Sequence, residues 1–201
     1  MARIVALVDG FNLYHSLQEN PDYHKLKWLN IDKLLRAYFP VGLERVLYFT
    51  ALTPWDPDKV SRHKILIRAL ESTGVEMVYG KFKERDRTCP KCHKLYRARE
   101  EKQTDVGIAL TMFRMAYEKR FDEAVLLTGD SDQLPTLKEV HKSFPGLRLT
   151  ILLPIGREAA ELKVEADRYI RIRERVLKTS LFDDPLTLAD GTTLRCPDEW
   201  K

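Results

Sequence analysis

The sequence points to an α/β fold of three layers, with helices on both faces of a central parallel sheet. Five short apolar runs recur along the 201 residues, and most are nearly continuous in apolar character, as strands covered on both faces must be. Segments with helical spacing separate these runs, and alternation of this kind implies parallel pairing through right-handed crossovers. Two of the runs lead into aspartates, one directly into Asp9 and one through Thr128-Gly129 into Asp130 and Asp132, and open parallel sheets gather their ligands at the carboxyl ends of strands.

Residues 4–8 (IVALV) are the first expected strand. The run ends in Asp9-Gly10 rather than a small-residue cleavage site, so it reads as a buried strand and not as a signal peptide. Helices are expected over 12–19 and 30–38, the second capped by Asn30. Residues 46–52 (VLYFTAL) make the second strand. A helix over 57–73 starts at Pro57 after Asp56 and stops at Gly74. Residues 75–79 (VEMVY) make the third strand. The helix expected over 104–119 places Val106, Leu110, Phe113 and Tyr117 on one core-facing stripe, with Ala109 and Ala116 beside it. The fourth strand is 124–127 (AVLL) and the fifth 149–153 (LTILL). Between them, a helix over 133–143 spaces Leu134, Leu137, Val140 and Phe144 helically and tolerates Pro135 in its first turn. A helix over 157–165 and a sixth strand over 169–172 complete the pattern.

Two pieces fall outside it. The basic, cysteine-bearing stretch at 80–102 is too long for an ordinary connection and is expected to be a functional insertion. After residue 176, LTLADGTTLRC places an Asp-Gly turn between short β-like runs, which suggests a hairpin. The expected organisation is therefore one domain over 1–176 that includes the insertion, and a tail over 177–201 packed on it.

Composition narrows the function classes. Hydrophobic residues at 44% and charged residues at 32% describe a soluble globular chain. No apolar run approaches the ~18 residues that span a bilayer, so no membrane partner is expected. Three cysteines, two of them in a Cys-x-x-Cys, make no disulfide framework and fit a reducing compartment, here the cytoplasm. Residues 81–102 carry nine Lys/Arg against four Asp/Glu, a local +5 that leaves about −1 elsewhere in a chain of net charge +4. Localised positive charge is the footprint of a polyanion binder, although a solvated loop has the same composition.

The aspartates carry the chemistry. Asp9 follows the first strand, Asp130 and Asp132 follow the fourth, and Asp105 enters from the start of a helix. Carboxylates crowded into one cleft repel unless a cation neutralises them. Oxygen ligands without nearby His or Cys favour Mg²⁺ or Mn²⁺ over Zn²⁺. Asn12 is placed to orient a ligand carboxylate, and Thr128 and Ser131 to donate supporting hydrogen bonds. Singly, each aspartate is as readily a turn or capping residue: Asp9-Gly10 a turn, Asp105 a favourable charge at a helix start, Asp130 or Asp132 an N-cap. Their convergence on one predicted edge favours the metal site.

VDGFNLY, the EEKQTDV stretch at 100–106 and LLTGDSDQLP resemble the three signature blocks of the NYN domain family, within the PIN-like nucleases. ELKVEADRYIRI resembles a later block ending in an Ala-Asp pair, here Ala166-Asp167. The resemblance covers residues 3–172. It implies a PIN-like α/β/α sandwich, an RNA substrate, and Mg²⁺ or Mn²⁺ bound by acidic residues carried here by Asp9, Asp105, Asp130 and Asp132. Asn12 matches the Asn of the first block, and Lys102 matches a basic position suited to substrate phosphate. Glu158-Ala159-Ala160 stands where related sequences often have a Ser. The implied activity is that of a metal-dependent endoribonuclease in which water attacks the phosphodiester in line, leaving a 5′-phosphate and a 3′-hydroxyl; DNA is open as a substrate too. A non-catalytic RNA-binding or interaction protein on the same fold is the alternative. A phosphatase of the haloacid dehalogenase type needs a second Asp where this chain has Phe11, and a nucleotide-binding glycine loop is absent from VDGFNLY.

Cys89-Pro90-Lys91-Cys92 is half of a zinc knuckle, and structural zinc takes four ligands. Cys196 is the expected third ligand if the tail folds back. His93 is awkwardly adjacent to Cys92, and His63 and His141 stay open. A redox pair and no metal at all are the competing readings. Arg85, Arg87, Lys91, Lys94, Arg97 and Arg99 would then form a basic surface, with Tyr96 either stacking on a base or packing locally. The segment leads into Glu101, Lys102 and Asp105, which suggests a flap that guides RNA. Asn12, Lys102, Arg97, Arg99 and Ser131 are the candidate substrate contacts.

Overall fold

The computed structural model describes residues 2–53 and 55–201, with the side chains of Arg99, Glu100 and Glu101 outside that description. The first half runs β1 (Ile4–Asp9), α1 (Gly10–Gln18), α2 (Ile31–Tyr38), β2 (Leu43–Thr50), α3 (Pro57–Glu71) and β3 (Glu76–Tyr79). A hairpin of β4 (Lys81–Thr88) and β5 (Leu95–Lys102) follows, leading into α4 (Thr104–Tyr117). The second half runs β6 (Glu123–Leu127), α5 (Leu134–Ser143), β7 (Arg148–Leu153), α6 (Ala160–Glu165), β8 (Arg168–Arg171) and α7 (Glu174–Thr179). The tail carries β9 (Leu186–Thr187) and β10 (Thr193–Leu194).

Six strands form one parallel sheet in the order β3-β2-β1-β6-β7-β8. The chain builds outward from β1 in one direction, then returns to β1's other side and builds the opposite way. The crevice between β1 and β6 is the topological switch point, where doubly wound sheets bind ligands.

Alternation along β1 sorts its side chains into two cores. Ala6 and Val8 join Leu13 and Leu17 of α1, Leu34 and Leu35 of α2 and Leu70 of α3. Val5 and Leu7 join Ile108 and Met112 of α4, Leu137 of α5 and Leu162 of α6. Every residue of β1 is buried, so the run reads as continuously apolar until Asp9. Each buried Leu or Val stabilises the fold by about 1.5–3 kcal/mol.

Four local expectations change. On α4 the stripe Val106, Leu110, Phe113 and Tyr117 faces outward, with Val106 60%, Leu110 67% and Tyr117 75% exposed. Ile108, Met112, Met115 and Ala116 face the sheet instead. This helix is apolar on two sides, so periodicity alone does not choose between them; Phe113 of the expected stripe packs on Phe144 with ring centroids 5.2 Å apart. Residues 81–102 form a regular antiparallel ladder rather than an irregular loop. Its period of two is written in charge instead of apolarity, which hides it from an apolar pattern. β2 starts at Leu43, earlier than expected, because Glu44 and Arg45 are exposed and Arg45 pairs with Glu76 of β3 at 2.7 Å. Residues 157–159 precede α6 rather than belonging to it.

α7 runs through the position where a separate tail was expected to begin, and Leu194, Cys196 and Trp200 of the tail belong to the core containing α1 to α3. Among the described residues, no helix is long and apolar enough to cross a membrane.

Candidate active site

The strands β1 and β6 are hydrogen-bonded neighbours, with Val8 opposite Leu127, so their carboxyl ends lie side by side. Asp9 caps α1: one carboxylate oxygen accepts from the Asn12 backbone N–H at 3.0 Å, the other from the Thr128 hydroxyl at 3.0 Å. Gly10 makes this immediate strand-to-helix turn feasible. A Cβ there would meet the Phe49 carbonyl and the Tyr48 ring at 2.6 Å. The Asn12 side-chain oxygen accepts from the Gly129 N–H at 2.8 Å, which ties the turn after β1 to the turn after β6.

The second turn is held the same way. Asp130 N–H donates to the Thr128 hydroxyl at 3.1 Å, and the Asp130 carboxylate accepts from Asp132 N–H at 3.0 Å. Asp105 arrives from the first turn of α4, where the Gln133 amide donates to its carboxylate at 3.3 Å. Gln133 is itself buried and accepts from the Thr136 hydroxyl at 3.2 Å. No motif marked Gln133 beforehand; its position inside LLTGDSDQLP was the available signal.

Asp9, Asp105 and Asp130 each bring a carboxylate oxygen within 4.8 Å of the others. Two unit charges at that separation repel by about 3.5 kcal/mol at an effective dielectric of about 20, more than one neutral hydrogen bond returns. Burial, then the charges of Asp105 and Asp130, push the Asp9 carboxyl up to about 6 against the hydrogen bonds from Asn12 and Thr128. Asp105 is raised as well, by burial first and then by Asp130 and Asp132. An oxygen-only, mutually repelling donor set, with Asp9 buried, Asp130 half-buried and Asp105 exposed at the mouth, fits a hard divalent cation. Asp132 is exposed, stands outside the close trio, and reaches it through its charge on Asp105.

These carboxylates line a cleft of about 590 Å³ whose other wall includes Arg157 and Glu158. Sequence reasoning missed Arg157. Its guanidinium pairs with Glu19 at 2.8 Å, while its buried Nε has no hydrogen-bond partner among the described residues. Gly129 makes room for it, since a Cβ there would sit 2.9 Å from the Arg157 Cβ.

The remaining expected contacts divide. Ser131 is exposed one residue beyond Asp130, and Lys102 is exposed at the end of β5, where Gln103 turns the chain (φ 81) into α4. Arg97 spends its guanidinium on Glu84 at 3.2 Å and Asp86 at 3.7 Å. The Arg99 side chain lies outside the described residues. Lys81, Lys83, Arg85 and Arg87 alternate along β4, all exposed, and the register sets Lys102 opposite Lys81 and Tyr96 opposite Arg87. Cross-strand partners share a face, so the hairpin has a basic face distinct from the one bearing Phe82, Glu84 and Asp86.

Cys89 and Cys92 sit at the hairpin tip. Backbone N–H groups of Cys92 and Lys91 directed at the Cys89 sulfur hold that thiol below its ordinary range. Cys196 does not join them. It is buried in the core, its sulfur donates to the Pro197 carbonyl at 3.6 Å, and burial pushes its thiol up to about 11. The expected third zinc ligand is therefore packed elsewhere, as the tail folds onto the domain body rather than onto the tip. His63 bonds Thr50 at 3.0 Å, and His141 lies between Glu165 at 2.9 Å and Asp167 at 3.1 Å.

Residues 3–173 match the family model of the NYN domain. A curated relative, 6-hydroxy-3-succinoylpyridine 3-monooxygenase HspA of Pseudomonas putida, is 23% identical over 184 residues, which cover 73% of this chain. The match spans 58% of that relative's length. A solved structure, a protein of unknown function from Vibrio parahaemolyticus, superposes with a TM-score of 0.55 at 20% identity, covering 86% of this chain and 94% of that one. That likeness shows the α/β sandwich fold.

Proposed function

The chain belongs to the NYN domain family, a family of nuclease type, and on that premise we propose that it is a Mg²⁺- or Mn²⁺-dependent ribonuclease. The observation that carries the reading is the convergence of Asp9, Asp105 and Asp130 within 4.8 Å at the β1–β6 switch point. Asp9, Asp105 and Asp130 would hold the cation, with Asp132 adding negative charge beside them. A divalent cation in such a site offsets charge on a phosphodiester and acidifies water.

The chain's own residues do the rest. Thr128 and the Asn12 N–H fix both oxygens of Asp9, and Gln133 fixes Asp105, so the donor set is preorganised. Arg157 faces the carboxylates across the cleft, and its guanidinium is suited to a phosphate oxygen. The basic face of the hairpin, ending at Lys102 three residues before Asp105, supplies the long-range attraction that carboxylates alone would oppose. Ser131, exposed beside Asp130, would offer its hydroxyl to the same strand of substrate.

The test is incubation of the protein with single-stranded RNA and DNA in Mg²⁺ or Mn²⁺, with an EDTA control and the Asp130→Asn variant. Metal-dependent products with 5′-phosphate and 3′-hydroxyl ends, absent for the variant, are expected. Equal cleavage by the variant, or cleavage that persists in EDTA, overturns the reading. A second reading follows from the Pseudomonas putida relative, whose name is that of an oxygenase acting on a substituted pyridine. Turnover of a hydroxypyridine by this chain, with no RNA cleavage, would favour it.

A further inference from the structure

A second cavity, of about 630 Å³, opens beside the acidic cleft and shares Phe11 and His15 with it. Its walls are ring-bearing: Phe11, Tyr14, Tyr48, His63, Phe82 and Trp200. They come from α1, the end of β2, α3, the base of the hairpin and the C-terminal tail, so five separate parts of the fold converge on it. Phe82 is wedged edge-on between Phe11 at 5.5 Å and Trp55 at 4.9 Å. Two cations stand on α3 at this cavity: exposed Lys59, paired with Asp56 at 3.3 Å, and Arg62, paired with Glu199 at 2.6 Å.

We propose that this cavity takes one unpaired nucleobase, that of the nucleotide adjoining the phosphodiester in the acidic cleft, an assignment that rests on the nuclease reading above. The two cavities divide the chemistry of a nucleotide. One offers carboxylates for a cation and a guanidinium for phosphate; the other offers ring faces and flanking cations. A base and its phosphate are joined through one ribose, and the two cavities are joined at the Phe11 ring, two residues from Asp9. The volume lies within the roughly 300–1,000 Å³ of ligand pockets. Every base presents a π-face, so aromatic walls hold any of them, whereas a paired base is locked in its stack and cannot enter. His63 adds a polar edge without charge: its ring bonds Thr50 at 3.0 Å, and burial pushes its pKa down to about 4. The site would thereby select RNA that is single-stranded at the point of cleavage.

The experiment compares two labelled pentamers by fluorescence anisotropy in EDTA: single-stranded RNA, and a chain of abasic ribose phosphates of equal charge. The RNA is expected to bind about tenfold tighter or more, the scale of one stacked base. Tyr14→Leu and Phe82→Leu, each checked for folding by thermal melting, are expected to remove most of that ratio while leaving the abasic affinity unchanged. A merely structural defect would weaken both ligands together. Equal affinities for the two pentamers, or variants that leave the ratio intact, overturn the proposal. So does displacement of the RNA by a pyridine carboxylate that binds more tightly, which would assign the cavity to a small heteroaromatic acid. A preserved ratio with no RNA cleavage in Mn²⁺ would instead sink the nuclease reading and leave the base site standing.

Discussion

Asp9→Asn should stabilise the metal-free protein while removing its response to metal. Asp9 is 4% exposed and its carboxyl is pushed from 3.8 up to about 6. A folded-state pKa above the unfolded value means that the group's stabilising share is fully present below about pH 3.8 and is lost as pH rises through about 6. Above that, the ionised carboxylate costs the fold up to about 3 kcal/mol relative to its protonated form, at about 1.4 kcal/mol per unit. Asn is close to isosteric with the neutral acid, can still accept the Asn12 N–H, and can present its amide to the Thr128 hydroxyl. In EDTA near neutral pH the variant should therefore melt higher, by up to about 6–12 °C for a domain of this size. The gap should close as pH falls through about 6 to 4, where wild type recovers its proton. Added Mn²⁺ should raise the wild-type melting temperature and leave the variant unmoved, since a ligand stabilises only the state that binds it. Thermal melting across pH, with and without metal, measures all three. A variant that melts at or below wild type in EDTA at neutral pH, or a gap indifferent to pH, would refute the account of Asp9 as a strained, cation-seeking carboxylate.

Arg157→Ala is expected to lower kcat/KM for RNA by about tenfold to a hundredfold, the range for losing one charge-assisted contact, while the metal-induced rise in melting temperature stays intact; loss of metal binding instead would show that Arg157 only positions the carboxylates. Of the three thiols, Cys89 and Cys92 should react rapidly with a disulfide reagent in the native state and Cys196 only on unfolding, so three fast thiols would contradict the placement of Cys196. Exchanging Lys83 and Arg85 for Glu should raise KM and flatten the salt dependence of binding by about two phosphate contacts, whereas Arg97→Glu, on the hairpin's other face, should do much less; equal effects would argue against a one-sided basic ribbon.

Where side-chain periodicity is forced by burial on both faces, the sequence was legible. β1, β6 and β7 read as apolar runs because, apart from Arg148 at the start of β7, no position on them faces water. Asp9 and Asp130 could be placed because Asp9 ends such a run and Asp130 follows one by a short turn, Thr128-Gly129. The hairpin was not legible as a ladder because its alternation is charge against charge, and the buried face of α4 was not because two of its stripes are apolar. Arg157 was invisible for another reason: it lines the cleft from a segment with no regular structure, and its position depends on the bare backbone of Gly129, 28 residues earlier in the chain.

The hairpin joins these observations. Its base supplies Phe82 to the aromatic cavity, its last residue is two positions before α4, and α4 in turn delivers Asp105 to the carboxylate cluster. Shifting the ladder register by one residue would exchange the faces, turning Phe82 outward and the lysines and arginines of β4 inward, because side chains alternate with a period of two. The basic face, the aromatic wall and the approach to Asp105 are thus fixed by one register. A two-residue deletion that shortens both strands at the tip preserves that register, whereas a one-residue deletion in β4 does not. The first should therefore spare RNA binding far more than the second, although both shorten the same hairpin.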